Sequence, residues 1–199
     1  MSILNNMFGF KVNMHRLESE SGVFVVDANG IVQRFEPSED NPLVDEETTI
    51  ASNYTYSTTQ TIRTLIVPCG VKGFVEHFMQ GIRISERLVF PESLESIGEC
   101  CFSKCILPSV SIPESLCMIG NYAFGHSHID TVRLSASLRS PYGRQFKDSY
   151  VGTLRMPKEW KNLVFMEDNG TFSVSGVLEE NDFGYLKWPS TRVSKLEFC

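Results

Sequence analysis

The chain predicts a mostly-β solenoid, a single stack of coils about 22 residues long with caps at its ends. Three observations carry that prediction. The stretch PESLESIGECCF, Pro91 to Phe102, returns as PESLCMIGNYAF from Pro113 to Phe124, identical at seven of twelve positions with an offset of 22. Each unit opens with the apolar alternation of a short strand, and a proline or serine then follows at a fixed place.

Residues 1–60 lack the repeat. Gly22 to Phe35 (GVFVVDANGIVQRF) reads as two strands around an Asp-Ala-Asn-Gly turn, and Glu36 to Thr61, polar and rich in Ser and Thr, reads as a covering loop. An open stack of coils exposes unpaired strand edges at both ends, so this segment is assigned to an N-terminal cap.

Residues 61–163 carry the repeats. The first inward position falls at Leu65, Leu88, Val110, Val132 and Leu154, the second at Val67, Phe90, Ile112, Leu134 and Met156. Pro68, Pro91, Pro113 and Pro157, with Ser135 in the remaining unit, stand where each strand should stop, since proline has no N–H for the ladder. After the turn come Val71, Leu94, Leu116, Leu138 and Trp160, then Phe74, Ile97, Ile119, Pro141 and Leu163. Met79, Phe102, Phe124 and Phe146 fill a deep slot, and Ile84, Leu107, Ile129 and Val151 close the coil. In register these side chains form a continuous spine that no single unit could bury alone. Gly98 and Gly120 mark a bend that excludes a Cβ.

Residues 164–199 vary the theme. Within Asn162 to Pro189, Phe172, Val174, Val177 and Leu178 suit strands, with Gly176 allowing a bend. Leu196 and Phe198 read as one more inward pair, Leu196 lying 42 residues after Leu154.

The pattern L-x-I-P-x-S-L-x-x-I-G-x-x-x-F over residues 61–163 resembles the BspA-like (Treponema pallidum-type) leucine-rich repeat family, most closely in the two central units. The resemblance implies an α/β fold leaning mostly to β: a right-handed solenoid of roughly five or six coils, with a parallel sheet on one face and short turns or helical segments on the other. It implies no enzyme activity, and it implies that Asn162 to Pro189 is a hairpin detour, in which a unit passes through an added pair of strands before the next coil; the residues themselves carry no cofactor motif, so no cofactor is expected. It also implies partner binding or adhesion, often at a bacterial surface.

A chain of 199 residues with 42% apolar content is enough for one self-sufficient core. A formal charge of -6, from 18 basic and 24 acidic residues, disfavours general attraction to nucleic acid. No apolar run is long enough for a membrane span and no leader follows Met1, so the sequence as given reads as cytoplasmic; a removed leader would make it a surface or secreted protein. Six cysteines in a long chain of this kind read as free thiols.

The chemical candidates are weighed against the repeat. Cys100, Cys101 and Cys105 cluster, but Cys101 and Cys105 align with positions beside the buried spine, where cysteine is a small filler, and no second ligand pair stands at zinc spacing. His77, Cys100 and Tyr122 occupy equivalent places in successive coils, which leaves a remote thiol-enzyme alternative without an orienting third group. His126 and His128 read as solvated surface histidines. Asn53-Tyr54-Thr55 and Asn169-Gly170-Thr171 match a glycosylation acceptor pattern but read as turns.

The strongest functional signal lies on the sheet. Outward positions form two columns, Thr64, Arg87, Ser109, Thr131, Thr153 and Ile66, Val89, Ser111, Arg133, Arg155, with three arginines and no carboxylate. Arg87, Arg133, Arg155, Ile66, Val89 and Ser111 are thus the candidate binding residues for a protein or glycan. Glu86 and Asp130 at the strand starts could instead neutralise the arginines on a solvated face. A homo-oligomer through the terminal strand near Leu196 is the structural alternative.

Overall fold

A computed structural model describes residues 13–51, 55–137, 144–161, 164–166, 172–174 and 191–199. Three antiparallel strands come first, β1 (His15–Ser19), β2 (Gly22–Val26) and β3 (Ile31–Pro37). The turn between β2 and β3 is closed by Asp27, whose carboxylate accepts the N–H groups of Asn29 and Ile31.

Residues expected as a covering loop instead form β4 (Val44–Ala51) and the start of β5 (Thr55–Ile66), an antiparallel pair. Period-two burial through Tyr56 and Thr58 is what makes β5 a strand, and a rule that equates Ser and Thr runs with loops misses it.

From β5 onward the chain winds. A front sheet contains β5, β7 (Ile82–Val89), β9 (Ile106–Ser111), β11 (His128–Arg133), β12 (Tyr150–Met156) and β15 (Arg192–Phe198), all parallel, with β4 at the border beyond β5. Between them on the rear run β6 (Gly73–Phe74), β8 (Ser96–Ile97) and β10 (Met118–Ile119), a second parallel ladder that continues from β3. β13 (Val164–Met166) and β14 (Phe172–Val174) form a small antiparallel pair within the expected hairpin detour, whose Val177 and Leu178 lie outside the described residues, as do Leu138, Pro141, Leu163, Asn53 and Asn169.

The result is a mostly-β parallel solenoid of four turns of 22–23 residues, followed by one more front strand after a 42-residue excursion. Of the short turns or helical segments expected on the other face, the described residues show turns, with one 3-10 turn at Lys158–Trp160.

The core follows the repeat. Leu65, Val110, Val132 and Leu154 are fully buried at the first inward position, and Val71, Leu94 and Leu116 after the turn. Phe102 lies parallel to Phe124 at 5.7 Å, and Phe124 to Phe146 at 4.9 Å, while Phe74 meets Phe102 edge-on at 5.5 Å. Each proline carbonyl accepts the N–H of the residue three on, as Pro91 does from Leu94 and Pro113 from Leu116. Ser135 reproduces the stop differently: its Oγ accepts the N–H of Ser137.

Coil-to-coil contacts are bonded as well as packed. Cys105, expected as a small filler, is instead the first of a bonded column: Cys105, Ser127, Ser149 and Thr191 each donate to the carbonyl of the spine residue one coil back, Met79, Phe102, Phe124 and Phe146. Ser127 and Ser149 also accept the N–H groups of Cys105 and Ser127. Gly98 and Gly120 do not supply a left-handed backbone. A Cβ on Gly120 would lie 2.6 Å from the Glu99 nitrogen and one on Gly98 would lie 2.8 Å from Phe74 oxygen, so glycine is needed for coil-to-coil approach. The left-handed residues come later in each coil, at His77, Cys100 and Tyr122 and again at Gly81, Lys104, His126 and Asp148.

Candidate binding face

The front sheet points its outward residues in rows fixed by the parallel register. Ser111, Arg133, Arg155 and Glu197 form one row, and Ser109, Thr131, Thr153 and Lys195 another. Thr64 pairs with Arg87 in the first turn, where β7 carries one more residue than its neighbours: Ile84 and Leu88 stand four apart, against three for Leu107 and Val110. Arg87, Ser111, Arg133 and Arg155 are exposed, while Ile66 and Val89 are half-buried. The Ile66 end is rigid, because Ser21 Oγ accepts the Ile66 N–H at 2.9 Å and Asn41 Oδ1 accepts that of Thr64 at 3.0 Å.

The three arginines differ in a way their spacing does not show. Arg155 Nε donates to Glu197 at 2.9 Å, and Lys195 Nζ lies 2.6 Å from the same carboxylate. Lys195 first and Arg155 second hold the Glu197 carboxyl below the usual carboxylate range. The row therefore does contain a carboxylate, supplied from 42 residues downstream, and Arg155 has an ion-pair partner that it shares with Lys195. Glu86 and Asp130, the expected neutralisers of the rest, turn elsewhere: Glu86 lies 4.0 Å from Arg63 and Asp130 lies 3.6 Å from His128. Arg87 and Arg133 have no ion pair among the described residues.

His128 is not the solvated residue expected. Its ring stacks on Tyr150 at 4.7 Å and receives the edge of Tyr56 at 5.5 Å, leaving the side chain 14% exposed. Nδ1 is buried without a hydrogen bond, and burial pushes the imidazole pKa down, partly opposed by Asp130. His126 sits instead on a turn, stacked on Tyr122 at 6.0 Å and 3.9 Å from Asp148. Among the described residues no group of three potential metal ligands converges.

The Cys100 column lacks the geometry of an activated thiol. His77 Nδ1 is 3.3 Å from Gln80 Oε1, and partial burial first, then Glu99, pushes the Cys100 thiol up rather than down. Cys101 and Cys105 are fully buried, with the Cys105 thiol pushed up to about 12 by burial. All six cysteines are free. Among the described residues no helix is long and apolar enough to cross a membrane.

No curated protein matches the chain. Residues 76–166 match the family model described as "BspA type Leucine rich repeat region (6 copies)", a segment that runs from the first complete turn through β13. With its proline-stopped front strands, its phenylalanine spine and this match, the segment spanning residues 76–166 is a leucine-rich repeat region of the BspA type.

Proposed function

We propose that this protein is a noncatalytic interaction module whose front sheet binds a protein or glycan bearing anionic groups. The carrying observation is that Arg87 and Arg133 project from the sheet without an ion pair among the described residues, while Glu86 lies beside Arg63, Asp130 beside His128 and Glu197 beside Arg155 and Lys195. Arginine on a pleated surface offers a planar, multiply donating group matched to carboxylate, sulfate or phosphate oxygens. Ser111 supplies a hydroxyl beside Arg133, and Ile66 with Val89 supplies an apolar border. In this proposal the N-terminal strands cap the array, and the setting is partner capture or adhesion at a bacterial surface.

Arrays of acidic and neutral glycans and of acidic peptides, probed with the wild-type chain and with variants, test it. The double variant Arg87→Ala/Arg133→Ala is expected to lose the salt-sensitive binding, while Arg155→Ala retains most of it. Equal binding by the folded double variant and the wild type rejects this face.

A further inference from the structure

Among the described residues β15 is the last strand of the front sheet and is bonded only to β12. Its inward residues Leu196 and Phe198 are half-buried, whereas their counterparts Leu154 and Met156 are fully covered. The core is therefore incompletely closed at this border. Cys199 N–H donates to Met156 oxygen at 3.0 Å, so by strand alternation Leu196 and Phe198 direct their peptide groups away from β12, toward the open edge. Phe198 agrees with its equivalent two turns earlier, Leu134, whose N–H donates forward to Arg155 oxygen.

We propose that this edge is a self-complementary dimer interface. It takes β15 of a second copy, antiparallel, about a twofold axis through Leu196. Such an axis, perpendicular to the sheet, keeps the inward faces of both copies on the same side, so the Leu196 and Phe198 side chains of the two copies extend one core. Leu196 of each copy exchanges both backbone hydrogen bonds with Leu196 of the other.

The charges choose this register. With Leu196 opposite Leu196, Lys195 of each copy faces Glu197 of the other. A shift of two residues one way sets Lys195 against Lys195, and the other way sets Glu197 against Glu197, both repulsive. A shift of one residue turns the apolar side chains to the wrong face. An unmatched edge lysine discourages strand pairing, but here a glutamate stands two residues on, 2.6 Å from Lys195 in the same strand. The pair thus admits one antiparallel partner register and penalises its neighbours.

Sedimentation or light scattering of the full chain, under reductant and over about a hundredfold concentration range, is expected to show a monomer–dimer equilibrium. Lys195→Glu and Glu197→Lys, each alone, create two like-charge contacts across the twofold and are expected to weaken the dimer about tenfold or more; the double variant Lys195→Glu/Glu197→Lys restores it. Circular dichroism establishes that all variants fold. A chain that stays monomeric throughout, whatever covers the edge, overturns the proposal. So does a dimer indifferent to the single reversals, or one that the double variant fails to recover. None of these outcomes bears on the arginine face, which is tested with the monomer or dimer alike.

Discussion

Replacing Ser127 by alanine separates two accounts of what holds one coil to the next. If the column of Cys105, Ser127, Ser149 and Thr191 were only a row of small fillers, alanine would fit with little change, because a single oxygen is lost. The bonding observed gives a different magnitude. Ser127 is fully buried, its Oγ donates to Phe102 oxygen at 3.0 Å, and it accepts the Cys105 N–H at 3.1 Å. Alanine leaves a buried donor and a buried acceptor without these partners, in a place where neither reaches water. At about 1–3 kcal/mol for a stranded group, the expected loss is about 2–4 kcal/mol. Urea unfolding followed by far-UV circular dichroism measures it as a lower midpoint. Ser127→Cys is the control: the thiol of Cys105 already makes the equivalent bond, to Met79 oxygen at 3.1 Å, so cysteine should recover much of the stability. A Ser127→Ala protein within about 0.5 kcal/mol of wild type, well below the cost of a stranded group, refutes the ladder as a source of stability.

Further predictions follow from other positions. Gly120→Ala should destabilise by about 1–3 kcal/mol, since the new Cβ lies 2.6 Å from the backbone nitrogen of Glu99 and a whole coil must shift to admit it; an unchanged urea midpoint would remove close approach as the reason for glycine. Lys104→Gly should stabilise by about 0.5–1 kcal/mol, because Lys104 is exposed at a φ of 58° and relief of left-handed strain outweighs the added freedom of the unfolded chain; thermal unfolding at a lower temperature than wild type contradicts it. His128 gives a pH signature. Its folded pKa is depressed by burial, so the unfolded chain binds the proton more readily. Stability should be fully present above the ordinary imidazole value of 6.5 and be lost as pH falls from there through the lower folded value. His128→Phe should flatten that part of the stability–pH curve, and an unaltered curve assigns the dependence to other groups.

Much of this architecture is legible because it repeats. A side chain at one place in a coil must fill the same space as its equivalents, so Leu88, Val110, Val132 and Leu154 declare the strand and Phe102, Phe124 and Phe146 declare the spine. Ser127 and Ser149 carried half of the hydrogen-bond ladder in view, but Cys105 and Thr191 concealed it, since three residue types share one role. The left-handed positions were hidden more thoroughly: Lys104, His126 and Asp148 have only a backbone angle in common, imposed by a turn that must close. The strand character of residues 55–60 was hidden too, because its buried members include Thr58.

From the residues alone came the period, the inward columns, the proline stops and the presence of arginines on the outward rows. Which arginine is free was decided in three dimensions. Glu197 reaches Arg155 across 42 residues because parallel stacking sets the last strand beside β12, and Asp130 is drawn to His128 instead of to an arginine. Apolar burial is dictated by a position within one coil and is therefore written locally. Ion pairing depends on which coils become neighbours and where their side-chain ends meet, and only the stacked structure determines that.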